Sequence, residues 1–269
     1  MGKFYGRPLS ALLAGMERGS IPIPSKAEVL AGAQNRQRGS EGYNPVFYYP
    51  VGSLQGFIED YSRPLAAQMR FNEKVVRIEP RQRRVHTTAG SYRYESLVST
   101  MPLPELLGII DPPPPFPSER LQHLSTLVVN AALSQRRRRF HWLYLPEGRF
   151  PFYRAGYYPG SGPVTVYLEK TMAPASRLEP RRLQRETAFT LRRTGMIARE
   201  SEILFQDSKV IPVSYVVFDR HWPRLVPGIL EHLRGQRIFS IGRYGSWNYS
   251  SMADDIRMAR ETAAAIARP

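Results

Sequence analysis

A chain of 269 residues, 42% hydrophobic and 11% aromatic, can bury a sizeable core in one large domain or two small ones, and its composition excludes disorder as the default. The absence of cysteine excludes disulfides, thiolate catalysis and cysteine-ligated metals, and fits a reducing compartment. A formal net charge of +15 would suit nucleic acid or an anionic surface, yet only five of the 38 basic residues are lysine and the arginines are spread along the chain. No apolar run approaches the roughly 18 residues of a membrane span, and the N-terminus lacks a signal-peptide apolar region. A cytoplasmic protein is the expectation.

Residues 1–41 read as a polar helical segment, with short helices over Leu9–Met16 and Lys26–Ala33 separated by Pro22 and Pro24. An extended aromatic stretch, Gly42 to Pro50, leads through Gly52 into a helix from Leu54 to about Met69. Lys74–Ile78, Val85–Thr88 and Tyr92–Thr100 read as strands, the first two joined by a charged turn at Pro80–Arg83. The prolines of Asp111–Pro117 make a stiff crossing between domains. Beyond it, Leu124–Leu133, His141–Leu145, Phe152–Tyr158 and Val164–Glu169 are strand-like, and Glu179–Thr194 has helical spacing. Two further strands, Ile203–Val210 and Ser214–Phe218, precede a helix around Leu225–Leu233. The Arg136–Arg139 run reads first as a solvated turn between strands, and second as a contact for a phosphate-bearing ligand.

The most informative stretch is 239–256. A short apolar strand, Ile238–Ile241, ends at Gly242-Arg243, a loop carries Tyr244, Trp247 and Tyr249, and a helix starts at the serines. That order turns backbone N–H groups of a helix N-terminus toward a ligand, a site for an anion or a polarised carbonyl. Ser251 and Asp254 have the Ser-x-x-acid spacing of a capping box. Gly242 and Gly245 permit bends and a close approach.

The string resembles the C-terminal flavin-contacting signature of the FAD-dependent amine oxidase and protoporphyrinogen oxidase superfamily, nearest the UDP-galactopyranose mutase-like branch. Three more stretches resemble the same family in the same order: Gly42–Pro50 with Gly52-Ser53-Leu54, Val75–Ile78 with Leu97–Pro102, and Phe152-Tyr153-Arg154. The resemblance implies an α/β (α+β mixed) fold, with a partial FAD/NAD(P)-binding Rossmann-like domain and an inserted antiparallel-sheet substrate domain. The cofactor-side domain would be discontinuous (42–110 and 223–269), with the substrate domain at 118–222. FAD is the implied cofactor. Val75 would lie against the adenine, and Ser99, Thr100 and Met101 would border the flavin. Gly242-Arg243 would face the FAD pyrophosphate or ribityl region, where a guanidinium fork suits phosphate oxygens. The amides of Ser251 and Met252 would point at the flavin pyrimidine carbonyl. Arg154 and Tyr249 match mutase positions that hold the substrate diphosphate, implying a small-molecule substrate such as a nucleotide sugar. No catalytic residue follows from the pattern.

Two departures stand out. The strand, Gly-x-Gly-x-x-Gly turn and helix with which flavoenzymes of this fold begin do not occur here. The chain therefore resembles the C-terminal part of such a protein, and a separate N-terminal FAD-binding subunit is an expected partner. Ile211 also stands before Pro212 where the mutases have tyrosine. Three readings stay open: a flavin-dependent oxidoreductase or mutase-like component, an inactive scaffold that keeps the substrate domain, and a basic nucleic-acid binder. The last is weakened because the aromatics sit in the family motifs. The five histidines are scattered and no Gly-x-Ser-x-Gly elbow occurs, so the sequence offers neither a metal site nor a hydrolase triad.

Overall fold

The computed structural model describes residues 2–6, 10, 12, 25–34, 50, 52–138, 140–158, 163–172 and 178–267. The chain forms two compact units, Leu13–Glu73 and Met1–Leu12 with Lys74–Pro269. The expected helix at Leu9–Met16 and the aromatic stretch Gly42–Pro50 fall almost entirely outside the described residues.

In the smaller unit, α2 (Lys26–Ala33) lies where the sequence places it, and α3 spans Leu54–Ser62. The Ser53 hydroxyl caps α3 by accepting from the Gly56 N–H at 2.9 Å. The helix expected to reach Met69 tightens to a 3-10 turn over Arg63–Gln68. Pro64 explains the change, because it has no N–H to continue the ladder.

The larger unit opens with α1 (Gly2–Tyr5). From Lys74 onward, β1 (Val75–Glu79), β2 (Arg84–Thr87), β3 (Ser91–Arg93) and β4 (Leu97–Ser99) are followed by α4 (Leu103–Gly108). Then come β5 (His123–Leu133), β6 (Trp142–Tyr144), β7 (Arg154–Tyr157), β8 (Val164–Met172), α5 (Pro180–Arg193) and β9 (Ile203–Val216). The chain closes with α6 (Trp222–Gly235), β10 (Ile238–Ser240), α7 (Gly242–Gly245) and α8 (Met252–Ala267).

Three sheets form among the described residues. An antiparallel sheet runs β1-β2-β3, a parallel pair joins β4 to β10, and a five-stranded antiparallel sheet has the order β6-β7-β8-β5-β9. The sequence expects one strand over Tyr92–Thr100, but the structure cuts it in two. Tyr94 still bonds the Arg83 carbonyl beside the first sheet, whereas the Leu97 N–H bonds the Arg237 carbonyl beside the parallel pair. Two expected strands, conversely, merge. β9 runs unbroken from Ile203 to Val216, and the proline between them is absorbed where pairing slips from Thr126↔Ile211 to Leu124↔Tyr215.

The main core lies on one face of the five-stranded sheet. Leu127, Val129, Ala131 and Leu133 alternate along β5 and meet Val166 and Leu168 of β8, with Leu183 and Leu191 of α5 in the same cluster. The buried stripe of α5, Leu183, Thr187, Ala188, Thr190 and Leu191, has helical spacing. Ile78, Leu103, Leu106, Ile229, Leu233 and Ile238 are buried as well, outside that cluster.

Candidate functional site

The parallel pair delivers two remote segments to one place. Ile241 donates its N–H to the Ser99 carbonyl at 2.9 Å, so β4 and β10 end side by side at their carboxyl ends. Gly242 follows with φ +76°, a conformation that glycine adopts without cost. Gly245 packs so tightly that a Cβ would lie 3.0 Å from the Ser99 carbonyl oxygen. Beyond this crossing lies a cleft of about 480 Å³, lined by Thr100, Ile241 to Tyr244, Ser250 to Met252, Asp255 and Ala259. Ligands of open α/β sheets bind in this kind of crevice, outside the carboxyl ends of the strands.

Five of the expected cofactor residues, Thr100, Gly242, Arg243, Ser251 and Met252, line the cleft together. Ser99 sits just behind it, tied to Ile241. Met101 is half-buried at the turn after β4, and Val75 begins β1, paired with Thr87; neither lines the cleft.

The expected capping box is present. Asp254 donates its N–H to the Ser251 hydroxyl at 3.3 Å, and its carboxylate accepts from the Ser251 N–H at 2.9 Å. The hydroxyl and amide of Ser251 hold the Asp254 carboxyl below the usual carboxylate range. The Ser251 amide is thus occupied within the helix start. Arg243 turns inward, donating from Nε and Nη2 to the Ser250 carbonyl at 3.0 and 2.5 Å, and lies 4.5 Å over the Tyr249 ring. Trp247 is fully buried with φ 49°, an unusual conformation for so large a side chain, and its carbonyl accepts from the Trp222 indole at 2.7 Å.

Tyr249 links the cleft to the five-stranded sheet by stacking on Tyr215, with ring centroids 6.3 Å apart and 16° between planes. The Tyr215 ring meets Phe4 of α1 edge-on at 4.6 Å, and Phe4 meets Tyr153 at 4.9 Å. Tyr153 donates to Glu169 Oε2 at 2.7 Å and Arg154 to Oε1 at 2.6 Å, so one carboxylate serves both. Burial opposes the charge of Arg154, but Glu169 outweighs it and leaves the guanidinium more firmly protonated than usual. Burial, reinforced by Glu169, raises the Tyr153 phenol, and burial pushes Tyr215 up to about 12 although Arg154 pulls it down. Arg154 Nε is buried without a partner among the described residues, an orphan donor of the kind an anion satisfies. Arg154 and Tyr249, expected from sequence to act on one ligand, are thus joined through Tyr215, Phe4, Tyr153 and Glu169.

The sequence assigned no role to those four connecting residues, although Tyr153 stands in the Phe152-Tyr153-Arg154 stretch. Glu169 carried a faint signal, as the one charged residue of the Val164–Glu169 strand. Phe4 carried none, because only the tertiary fold brings the N-terminal turn to the sheet, where Lys3 Nζ bonds the carbonyls of Leu145 and Phe152 at 2.7 Å each. Within the arginine run, Arg137 forms a two-point pair with Glu202 at 2.7 and 2.9 Å, and Arg136 lies 4.6 Å over the Tyr157 ring.

No family model and no curated protein matches the sequence. Solved structures do. The chain has a mixed α/β fold, shared with a mutase and with oxidases of known structure. UDP-galactopyranose mutase in its reduced form superposes with a TM-score of 0.80 at 19% identity, over 92% of this chain and 58% of that one. A protoporphyrinogen oxidase of Exiguobacterium sp. 255-15 gives 0.64 at 14% identity, over 81% of this chain and 53% of that one. A putrescine oxidase variant gives 0.59 at 17% identity, over 80% of this chain and 53% of that one. The chain therefore spans little more than half the length of these proteins.

Proposed function

We propose that this chain is a component of a flavin-dependent oxidoreductase of the amine oxidase type, or of a mutase-like relative acting on a nucleotide sugar. The observation that carries the reading is the cleft, in which Thr100 of one segment meets Gly242, Arg243, Ser251 and Met252 of another at the carboxyl ends of two parallel strands. Similarity to flavin-dependent oxidases and a mutase supports the general kind.

The donor set suits part of a flavin. The positive φ of Gly242 leaves nothing nearer than 3.9 Å to a Cβ there, and α8 turns its N-terminus toward the cleft. The Ser251 amide and hydroxyl are both engaged by Asp254, which leaves the amides of Met252 and Ala253 to carry the helix-end contact with a flavin carbonyl. Asp255, which accepts from the Ser250 hydroxyl at 2.6 Å, also lines the cleft. Its carboxylate opposes a phosphate there, so the diphosphate of FAD is better held by a Gly-x-Gly-x-x-Gly segment on a separate subunit or elsewhere in a longer chain. When bound, the flavin supplies the redox or group-transfer chemistry. This chain's part is positional. Arg154, held charged by Glu169, and Tyr249 would orient an anionic small-molecule substrate across the aromatic bridge.

Visible absorption of the desalted protein after incubation with FAD tests the reading. Flavin bands that stay with the protein, and weaken on Gly242→Val or Thr100→Trp, are expected. A protein that stays colourless, alone and with a supplied dinucleotide-binding segment, leaves the scaffold reading instead.

A further inference from the structure

The far edge of the five-stranded sheet is a long strand with an apolar, exposed rim. Among the described residues β9 bonds β5 along one side only. On it Leu204 and Phe205 are each 65% exposed, and Val210 and Ile211 are exposed as well. Free strand edges are ordinarily shortened, charged or covered, because they template pairing with another chain.

The ladder fixes which groups face outward. Ser134 N–H bonds the Glu202 carbonyl and Val217 N–H bonds the Gln122 carbonyl, one at each end of the β5–β9 ladder. Even-numbered residues of β5 therefore turn their backbone toward β9, and they pair with Phe205, Asp207, Lys209 and Ile211. The N–H and C=O groups of Gln206, Ser208 and Val210 point to the open edge, with no partner among the described residues. Pro212, next in the same series, has no N–H and ends the run.

This edge complements itself. In an antiparallel pairing about a two-fold axis at Ser208, Ser208 meets its own copy and Gln206 meets Val210. Asp207 falls opposite Lys209, twice, and Phe205 falls opposite Ile211, twice. The outward-facing residues are those such a ladder hydrogen-bonds, and Asp207 with Lys209 occupy the closer, non-hydrogen-bonded position, where side-chain pairs interact best. Any other register breaks the charge match. We infer that β9 is a self-pairing edge, joining a second copy of this chain into one continuous sheet. The strand rows of Phe205, Asp207, Lys209 and Ile211 lie on the face opposite the α5 core, the face that carries Glu169 through its pairing with Val128. Two copies would thus present their candidate substrate faces on the same side.

Sedimentation of the full chain over a range of concentrations tests this, with circular dichroism confirming the fold of each variant. A monomer–dimer equilibrium is expected. Lys209→Asp, which sets like charges opposite one another, should weaken the dimer about tenfold or more. The double exchange Asp207→Lys with Lys209→Asp should restore it. Ser208→Cys introduces the sole cysteine of the protein. Paired residues at that position lie about 5.5 Å apart at Cα, within reach of a disulfide, so mild oxidation should yield a covalent dimer. A chain that stays monomeric to its solubility limit overturns the inference. So does a dimer indifferent to Lys209→Asp, or one that the Ser208→Cys variant does not cross-link.

Discussion

The five-stranded antiparallel sheet and the two-stranded parallel pair carry similar apolar residues and bury them very differently. Along β5 every second residue from Leu127 to Leu133 is almost inaccessible and faces α5. In the parallel region Val98 at the middle of β4 is 45% exposed, and the 16-residue α8 has no buried residue at all. Antiparallel sheets can cover one face and wet the other, whereas parallel strands are ordinarily packed on both faces. The first region completes its own layer; the second does so only in part. The candidate cleft opens from the second region, and the Tyr249–Tyr215 stack ties it to the first.

The contrast can be broken by core truncation. Phe152→Ala, at a fully buried position, should cost about 3–5 kcal/mol. Ile256→Ala, on exposed α8, should stay within about 0.5 kcal/mol. Urea denaturation that finds equal costs would mean that α8 is as essential to the fold as the sheet core. The next effect in size concerns the bridge between the regions. Glu169→Gln removes the charge shared by Tyr153 and Arg154. A fully buried broken pair costs about 3–5 kcal/mol, and with 22% of the Arg154 side chain exposed we expect about 2–3. A loss below 1 kcal/mol in the same denaturation series would show that the carboxylate does not organise the face.

Ser251→Ala should cost about 1 kcal/mol through the lost cap. Amide exchange should show that loss in the first turns of α8, leaving β5 and β8 protected; uniform loss would couple the two regions more tightly than their packing implies. The smallest effect separates them by pH. The hydrogen bonds from Arg137 pull the Glu202 carboxyl down to about 2, against burial that would raise it. A lowered folded value means that the stabilisation is present above the unfolded glutamate value of about 4.3 and disappears as pH falls through about 2. Thermal melts of the wild type should therefore lose more stability across that window than those of Glu202→Gln. Parallel curves would remove the pair from the stability of the five-stranded sheet.

Much of the fold was legible because it follows from local chemistry. The strand of β5, the stripe of α5 and the box at Ser251–Asp254 need only spacing and side-chain type. The errors share a cause. Tyr92–Thr100 reads as a single strand, yet it divides between two sheets because its halves find different partners, Arg84–His86 and Ile238–Ser240. Ile203–Val216 looks interrupted at Pro212, yet remains one strand because an edge tolerates a residue without an N–H.

By itself the sequence determined many of the elements, the glycine bend at Gly242, the helix start at Ser251 and the likeness of its motifs to flavin-contacting proteins. Only the tertiary structure decided that Thr100 shares a cleft with Arg243, and that Phe4, Tyr153, Glu169 and Tyr215 stand between Arg154 and Tyr249. Caps and periodicity act over a few residues and are written in adjacent letters. The charge on Arg154 depends on a carboxylate 15 positions away on a neighbouring strand, and that proximity exists only once the sheet has formed.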